Sequence, residues 1–309
     1  MSDEDARFPG PVERVLNGAI DMHVHGYPDV GLHWKMRTDD LTLIRGARAA
    51  GMRGIVLKSH FWPTMDRAMS LNERFDAPDF TVWSSITLNP LIGGLQPTTV
   101  EAAAEHGAKV VFFPTWGSLN DHRHGGVVRQ QVIDRLLPSF SRYLDDAAIS
   151  VTERGMLHPA VRDILDVAKA RDLVVSTAHL STGESVKVAE AAADIGFERL
   201  VFAHPFSPSV AASPAVIDDI AATGAKVEVT AVLTMLPKPP VQLTDVYKMI
   251  RRLGPRSILL TSDVFFAWLP PHAEMLSMFV GQLRSLGITD DEFRTMLVEN
   301  PSALISAQD

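Results

Sequence analysis

Cysteine is absent from the 309 residues, which excludes disulfides, thiolate metal sites, iron–sulfur clusters and a cysteine nucleophile. Any metal must therefore be held by His, Asp, Glu or a modified side chain. Positive charge is in short supply: 29 Lys and Arg against 37 Asp and Glu give a formal net charge of −8, and there is no basic run. Nucleic-acid affinity rests on clustered Lys and Arg, so no nucleic-acid partner is expected. Long hydrophobic runs are missing as well. The most apolar stretch, 258–269, contains Asp263, whereas a membrane span needs about 18 uncharged apolar residues; no span and no membrane partner are predicted. Residues 1–8 are acidic and polar, unlike the basic start and apolar stretch of a secretory signal, which points to the cytoplasm.

Hydrophobic residues make up 46% of the chain, enough for a large core. Length alone suggests roughly two domains, but α/β barrels take about 250 residues or more as one unit. Short β-branched or apolar runs recur at 19–25, 54–59, 80–88, 108–114, 173–178, 200–203, 226–231 and 258–262. Stretches of helical period lie between or after them at 41–50, 65–75, 98–106, 159–170, 183–195, 214–223, 241–252 and 271–286, with Gly51, Gly107, Gly196, Gly224 and Gly287 at or just past helix ends. Strands as continuously apolar as 55–57 and 109–113 belong to a parallel sheet buried on both faces. The sequence therefore predicts an α/β fold, a (β/α)₈ TIM barrel formed by residues 1–309 as a single domain. A long insertion separates strands four and five: a polar segment at 117–126 and a helical piece at 127–146, the kind of loop that often serves as a lid. A doubly wound open sheet ranks behind, because no Gly-x-Gly-x-x-Gly turn follows the first strand.

The first predicted strand closes on Asp21-Met22-His23-Val24-His25. Residues two apart on a strand point to the same side, so both imidazoles project together as a pair of metal ligands. Strand five ends at His179, strand six at His204 and strand eight at Asp263. In a (β/α)₈ barrel the active site is built from the C-terminal ends of several strands, and four His and one Asp fall there. Imidazole and carboxylate suit zinc, manganese, iron or nickel, with an open position for water in a catalytic site.

With these residues the chain resembles the amidohydrolase superfamily over about 19–305, including the closing Glu299-Asn300-Pro301-Ser302-Ala303-Leu304-Ile305. The resemblance implies that His23, His25 and Asp263 bind the more buried metal, while His179 and His204 bind a second metal or divide between metal and substrate. It departs at strand four, which ends Phe112-Phe113-Pro114-Thr115-Trp116 where two-metal members carry a carboxylated Lys or a Glu. Lys58, in Lys58-Ser59-His60 after strand two, is the nearby candidate for that bridge, or for an unmodified group that binds a substrate carboxylate or oxyanion. His60 points to the same side.

Asp263 is placed for general acid/base work on a metal-activated water, and His204 or Lys58 for stabilising an oxyanion. Trp34, Trp62, Trp116, Phe265, Phe266 and Trp268 lie near strand ends in a chain with only five Trp, which favours a cyclic or aromatic small-molecule substrate; packing of the barrel mouth is the competing role for each. The resemblance thus implies a metal-dependent hydrolase that cleaves a C–N or C–O bond in an amide, lactam, imide, ester or lactone. Its cofactor is one or two divalent ions per chain, zinc first and manganese second. A mononuclear decarboxylase or hydratase of aromatic or unsaturated acids is the alternative. Deamination fits less well, since Leu180-Ser181-Thr182 follows His179 without a His-x-x-Glu pair. The exposed aromatics permit a homo-oligomer.

Overall fold

A computed structural model describes residues 15–32, 35, 38–124, 133, 134 and 138–306; the acidic start at 1–8, Trp34 and much of the 127–146 stretch lie outside them. Eight strands form one sheet in chain order. They are β1 Ile20–His25, β2 Gly54–Lys58, β3 Thr81–Thr87, β4 Ala108–Phe112, β5 Val174–Ser176, β6 Leu200–Phe202, β7 Lys226–Thr230 and β8 Ile258–Thr261. All fall on the apolar runs of the sequence, shortened by a few residues at their ends. Their registers are parallel, for example Val56 beside Trp83 and Val110 beside Val174, as strands separated by helical crossovers must be.

The helices are α1 Asp40–Ala49, α2 Met65–Phe75, α3 Pro97–Glu105, α4 Leu119–His124, α5 Pro138–Asp146, α6 Pro159–Ala170, α7 Thr182–Asp194, α8 Pro214–Ala222, α9 Val232–Met235, α10 Leu243–Leu253, α11 His272–Ser285, α12 Asp290–Arg294 and α13 Asn300–Ile305. Several starts are fixed by side-chain caps. Asp39 accepts from the Thr42 N–H, and Ser181 with Glu184 closes a capping box on α7. Among the described residues no helix is long and apolar enough to cross a membrane.

Two compact units can be distinguished, 1–57 with 66–83 and 229–306, and 58–65 with 84–228. In the first, β1 and β8 meet: the Asp263 N–H donates to the His23 carbonyl at 3.1 Å. The end strands of the sheet are thereby joined, giving the (β/α)₈ barrel. Ile20, Val24, Ile55, Leu259 and Phe279 are buried there. The Asn300 amide of the closing Asn-Pro donates to the carbonyls of Pro255 and Ile258 at 2.9 and 2.7 Å, so that motif anchors the start of β8.

In the second unit the core is carried by Val110, Val111, Val175, Leu200 and Phe202. Here the insertion after β4 differs from its reading as a polar loop. Residues 119–124 form α4, with the Asp121 N–H donating to Ser118 Oγ at 2.9 Å, and Asn120 and Asp121 are buried. Polar composition concealed this because both side chains turn inward to bonded partners. Past α5, a short antiparallel pair, Thr152–Glu153 with Met156–Leu157, leads into α6.

Candidate metal centre

In the first unit all six residues of β1 are buried, and the two-residue repeat puts His23 and His25 on one side, their ring centroids 5.3 Å apart. Asp263, just past β8, meets both: its Oδ1 is 3.1 Å from His23 Nε2 and 3.4 Å from His25 Nε2. One ligand atom from each of the three lies within 4.8 Å of the others. Two imidazole nitrogens and one carboxylate oxygen this close together are a donor set that fits a divalent ion with positions left open.

The surrounding groups orient this set. Asp29 Oδ2 lies 2.9 Å from His25 Nδ1, so the carboxylate accepts from Nδ1–H and His25 turns its Nε2 towards Asp263. Asp21 Oδ1 accepts from the backbone N–H groups of His23 and Ser262, each at 3.1 Å, which locks the ends of β1 and β8 together. Asp263 itself has φ +49°, a left-handed conformation that a non-glycine residue adopts at a cost of about 1–3 kcal/mol.

The loop carrying Asp29 is braced from below. Asp40 accepts from the Tyr27 N–H at 3.1 Å and from Arg67 Nε and Nη2 at 2.7–3.1 Å, while Arg67 Nη1 donates to the Pro28 carbonyl at 2.8 Å. Burial pushes the Asp40 carboxyl above its ordinary value, with the Arg67 charge opposing. Gly26 packs beside this pair: a Cβ there would collide with the Asp40 carboxylate, which Arg67 and the Tyr27 N–H hold in place.

In the second unit His179 and His204 meet edge to face with ring centroids 5.1 Å apart. The residue before His179, Ala178, has φ +49°, and His204 has φ +25°. Strain at three strand ends that carry candidate ligands is a pattern of functional sites. His179 Nδ1 lies 2.9 Å from Asp121 Oδ1. Lys58 is 1% exposed, with Nζ 4.7 Å from the Phe112 ring centroid. His60 stacks on Trp116 at 3.8 Å. Both are held by Asn89, whose amide donates to the His60 carbonyl and to Thr115 Oγ1, and whose oxygen accepts from the N–H groups of Thr115 and Gly117.

The aromatic candidates divide. Trp116 is buried and serves as the platform for His60. Phe265 is buried against His25 at 5.3 Å and leads through Phe266 to Trp268 by ring contacts of 5.5 and 5.7 Å. Trp268 is 60% and Trp62 51% exposed. Sequence reasoning missed Asp21, Asp29, Asn89 and Asp121. Asp29, four residues after His25, had a spacing signal; Asp121 had none within the polar segment 117–126, where His122 and His124 pair with Asp145 and Asn120. His158 caps α6 by accepting from the Ala160 N–H.

The profile of a family described as "Family of unknown function (DUF6282)" matches residues 18–228. No curated protein matches the sequence. Among solved structures, an amidohydrolase from Pseudomonas aeruginosa is similar with a TM-score of 0.64 and 12% identity over 96% of this chain and 98% of its own. A probable dipeptidase from the same organism gives 0.60 and 11% over 95% of each chain. A probable 2-pyrone-4,6-dicarboxylic acid hydrolase from Acinetobacter baumannii gives 0.55 and 13% over 93% and 99%. The barrel is thus the fold seen in the amidohydrolase superfamily, and the chain belongs to the DUF6282 family.

Proposed function

We propose that this protein is a metal-dependent hydrolase that cleaves a C–N or C–O bond in a small cyclic or aromatic molecule. The observation that carries this reading is the convergence of His23 Nε2, His25 and Asp263 within 4.8 Å, at the end of the barrel where such folds keep their chemistry. His23, His25 and Asp263 would hold the first divalent ion, zinc or manganese, and His179 and His204 a second ion or the substrate. A bound ion supplies Lewis acidity, making a water molecule acidic enough to act as nucleophile near neutral pH.

The rest falls to side chains. Asp263 Oδ1, already between two imidazoles, takes the proton of the attacking water and returns it to the departing nitrogen or oxygen. His204 or Lys58 donates to the substrate oxygen as negative charge develops on it. Phe265, Phe266 and Trp268 offer stacked faces to a planar substrate, with His60 and Trp62 as further contacts. The test is a screen of lactams, imides, esters and lactones with metal-loaded and chelator-treated protein. Turnover that chelation and His25→Ala both abolish is expected; turnover that survives both contradicts the reading.

A second reading, a mononuclear decarboxylase or hydratase of carboxylic acids, is favoured by one observation. β4 ends at Phe112 and is followed by Phe113 and Pro114, none of them a ligand, which leaves Lys58 to pair with a substrate carboxylate instead of bridging two ions. One ion per chain, unaffected by Lys58→Ala, is its expected signature.

A further inference from the structure

Three residues of the stretch 118–121 after β4, Ser118, Asn120 and Asp121, hold His179 at both its ring and its main chain. Ser118 Oγ and Asn120 Nδ2 donate to the His179 carbonyl at 3.1 and 3.0 Å, and Asp121 Oδ1 meets its Nδ1 at 2.9 Å. Asn120 Nδ2 also donates to the Ser209 carbonyl at 2.8 Å, tying the same stretch to the loop that follows His204. Asp121 is 3% exposed, and its second oxygen, Oδ2, is buried without a hydrogen-bond partner among the described residues. Burying a carboxylate with one oxygen unbonded is costly, more than a helix of six residues needs for its own sake.

We propose that Asp121 is a positioning residue for His179. An ionised carboxylate only accepts, so it fixes the proton on Nδ1 and leaves the Nε2 lone pair available. The ring is thereby set as a ligand or proton acceptor through Nε2. The tautomer assignment stands by itself; its use in catalysis rests on the metal-dependent reading above.

The test uses full-length, metal-free protein labelled with ¹⁵N-histidine, at pH 8, with two-bond ¹H–¹⁵N correlation and His179 assigned from a His179→Gln variant. Wild-type protein is expected to show His179 protonated on Nδ1 and bare on Nε2. Asp121→Ala should move it towards the Nε2–H form that a free imidazole prefers, whereas Asp121→Asn, whose amide oxygen accepts the same proton, should restore Nδ1–H. In competition with a chromophoric chelator, zinc should bind about 10- to 100-fold more weakly to Asp121→Ala, and within about tenfold of wild type to Asp121→Asn. Thermal melts establish that the variants fold, and the near-isosteric Asn variant gives a reading if the Ala variant does not.

Wild-type His179 carrying its proton on Nε2, or an Asp121→Ala spectrum identical to wild type, would overturn the proposal. A shifted tautomer with unchanged zinc affinity would support the positioning role and remove His179 from the ligand set. Wild-type protein that binds no zinc would sink the metal-dependent reading, while the spectra still decide Asp121.

Discussion

In the first unit one carboxylate, Asp263, touches the Nε2 atoms of two histidines at 3.1 and 3.4 Å. In the second, Asp121 touches Nδ1 of His179 alone, and His204 meets His179 ring to ring. A carboxylate shared between two Nε2 atoms completes a coordination set, whereas one on Nδ1 orients a single ring. The first cluster thus brings three donor groups together, while the second, among the described residues, is built from two imidazoles in ring contact, one of them held by a carboxylate.

The contrast can be broken most directly at its ligands. Asp263→Ala should weaken zinc binding by more than about 100-fold, since outer-shell partners alone are worth about 10- to 100-fold. His204→Ala should cost less. Chelator competition on both variants checks this, and a larger loss for His204→Ala would invert the assignment.

Next in size is the brace beneath the first cluster. Arg67→Met leaves Asp40 buried without its partner and should destabilise the fold by roughly 2–3 kcal/mol at neutral pH, below the value for a fully buried pair because both groups are partly exposed. Burial raises the folded-state value of Asp40 above its ordinary 3.8, so its protonated form favours the fold. The penalty should therefore be smallest below about pH 3.8 and grow as pH rises through the raised value. Denaturant melts at several pH values check the sign; a penalty that grew on acidification would contradict it.

Asp29→Ala should weaken zinc binding about tenfold through His25, a smaller effect than Asp263→Ala if Asp29 only orients. Equal losses would make Asp29 a ligand. Smallest of all, Trp268→Ala should change stability by no more than about 0.5 kcal/mol, since the side chain is 60% exposed. The same variant should raise KM for a planar substrate. Unchanged KM would leave Trp268 as surface packing.

The barrel was legible because its strands are short apolar runs set off by helical periods and glycines, and β1, β4 and β8 read directly from 19–25, 108–114 and 258–262. His23, His25, His179, His204 and Asp263 stand out in the sequence because each lies at or beside the end of such a run, and the structure brings His23, His25 and Asp263 together in the first unit and His179 beside His204 in the second. Burial of Lys58 was not, since a lysine after a strand ordinarily keeps its ammonium in water. Asp29, Asn89 and Asp121 were hidden for another reason: their roles depend on which loop folds back on which strand end. The stretch 117–126 reads as polar, yet it contributes the buried Asn120 and Asp121 that hold His179.

The decisive measurement is the metal content per chain of purified protein, with and without added zinc, manganese and bicarbonate, for wild type, Asp263→Ala and Lys58→Ala. At least one ion per wild-type chain is expected, and that ion should be lost in Asp263→Ala. A fall from two ions to one or none in Lys58→Ala would make Lys58 a bridge. Wild-type protein that takes up no ion under any of these conditions, or an Asp263→Ala variant that keeps its full complement, would contradict the assignment of His23, His25 and Asp263 as a metal centre.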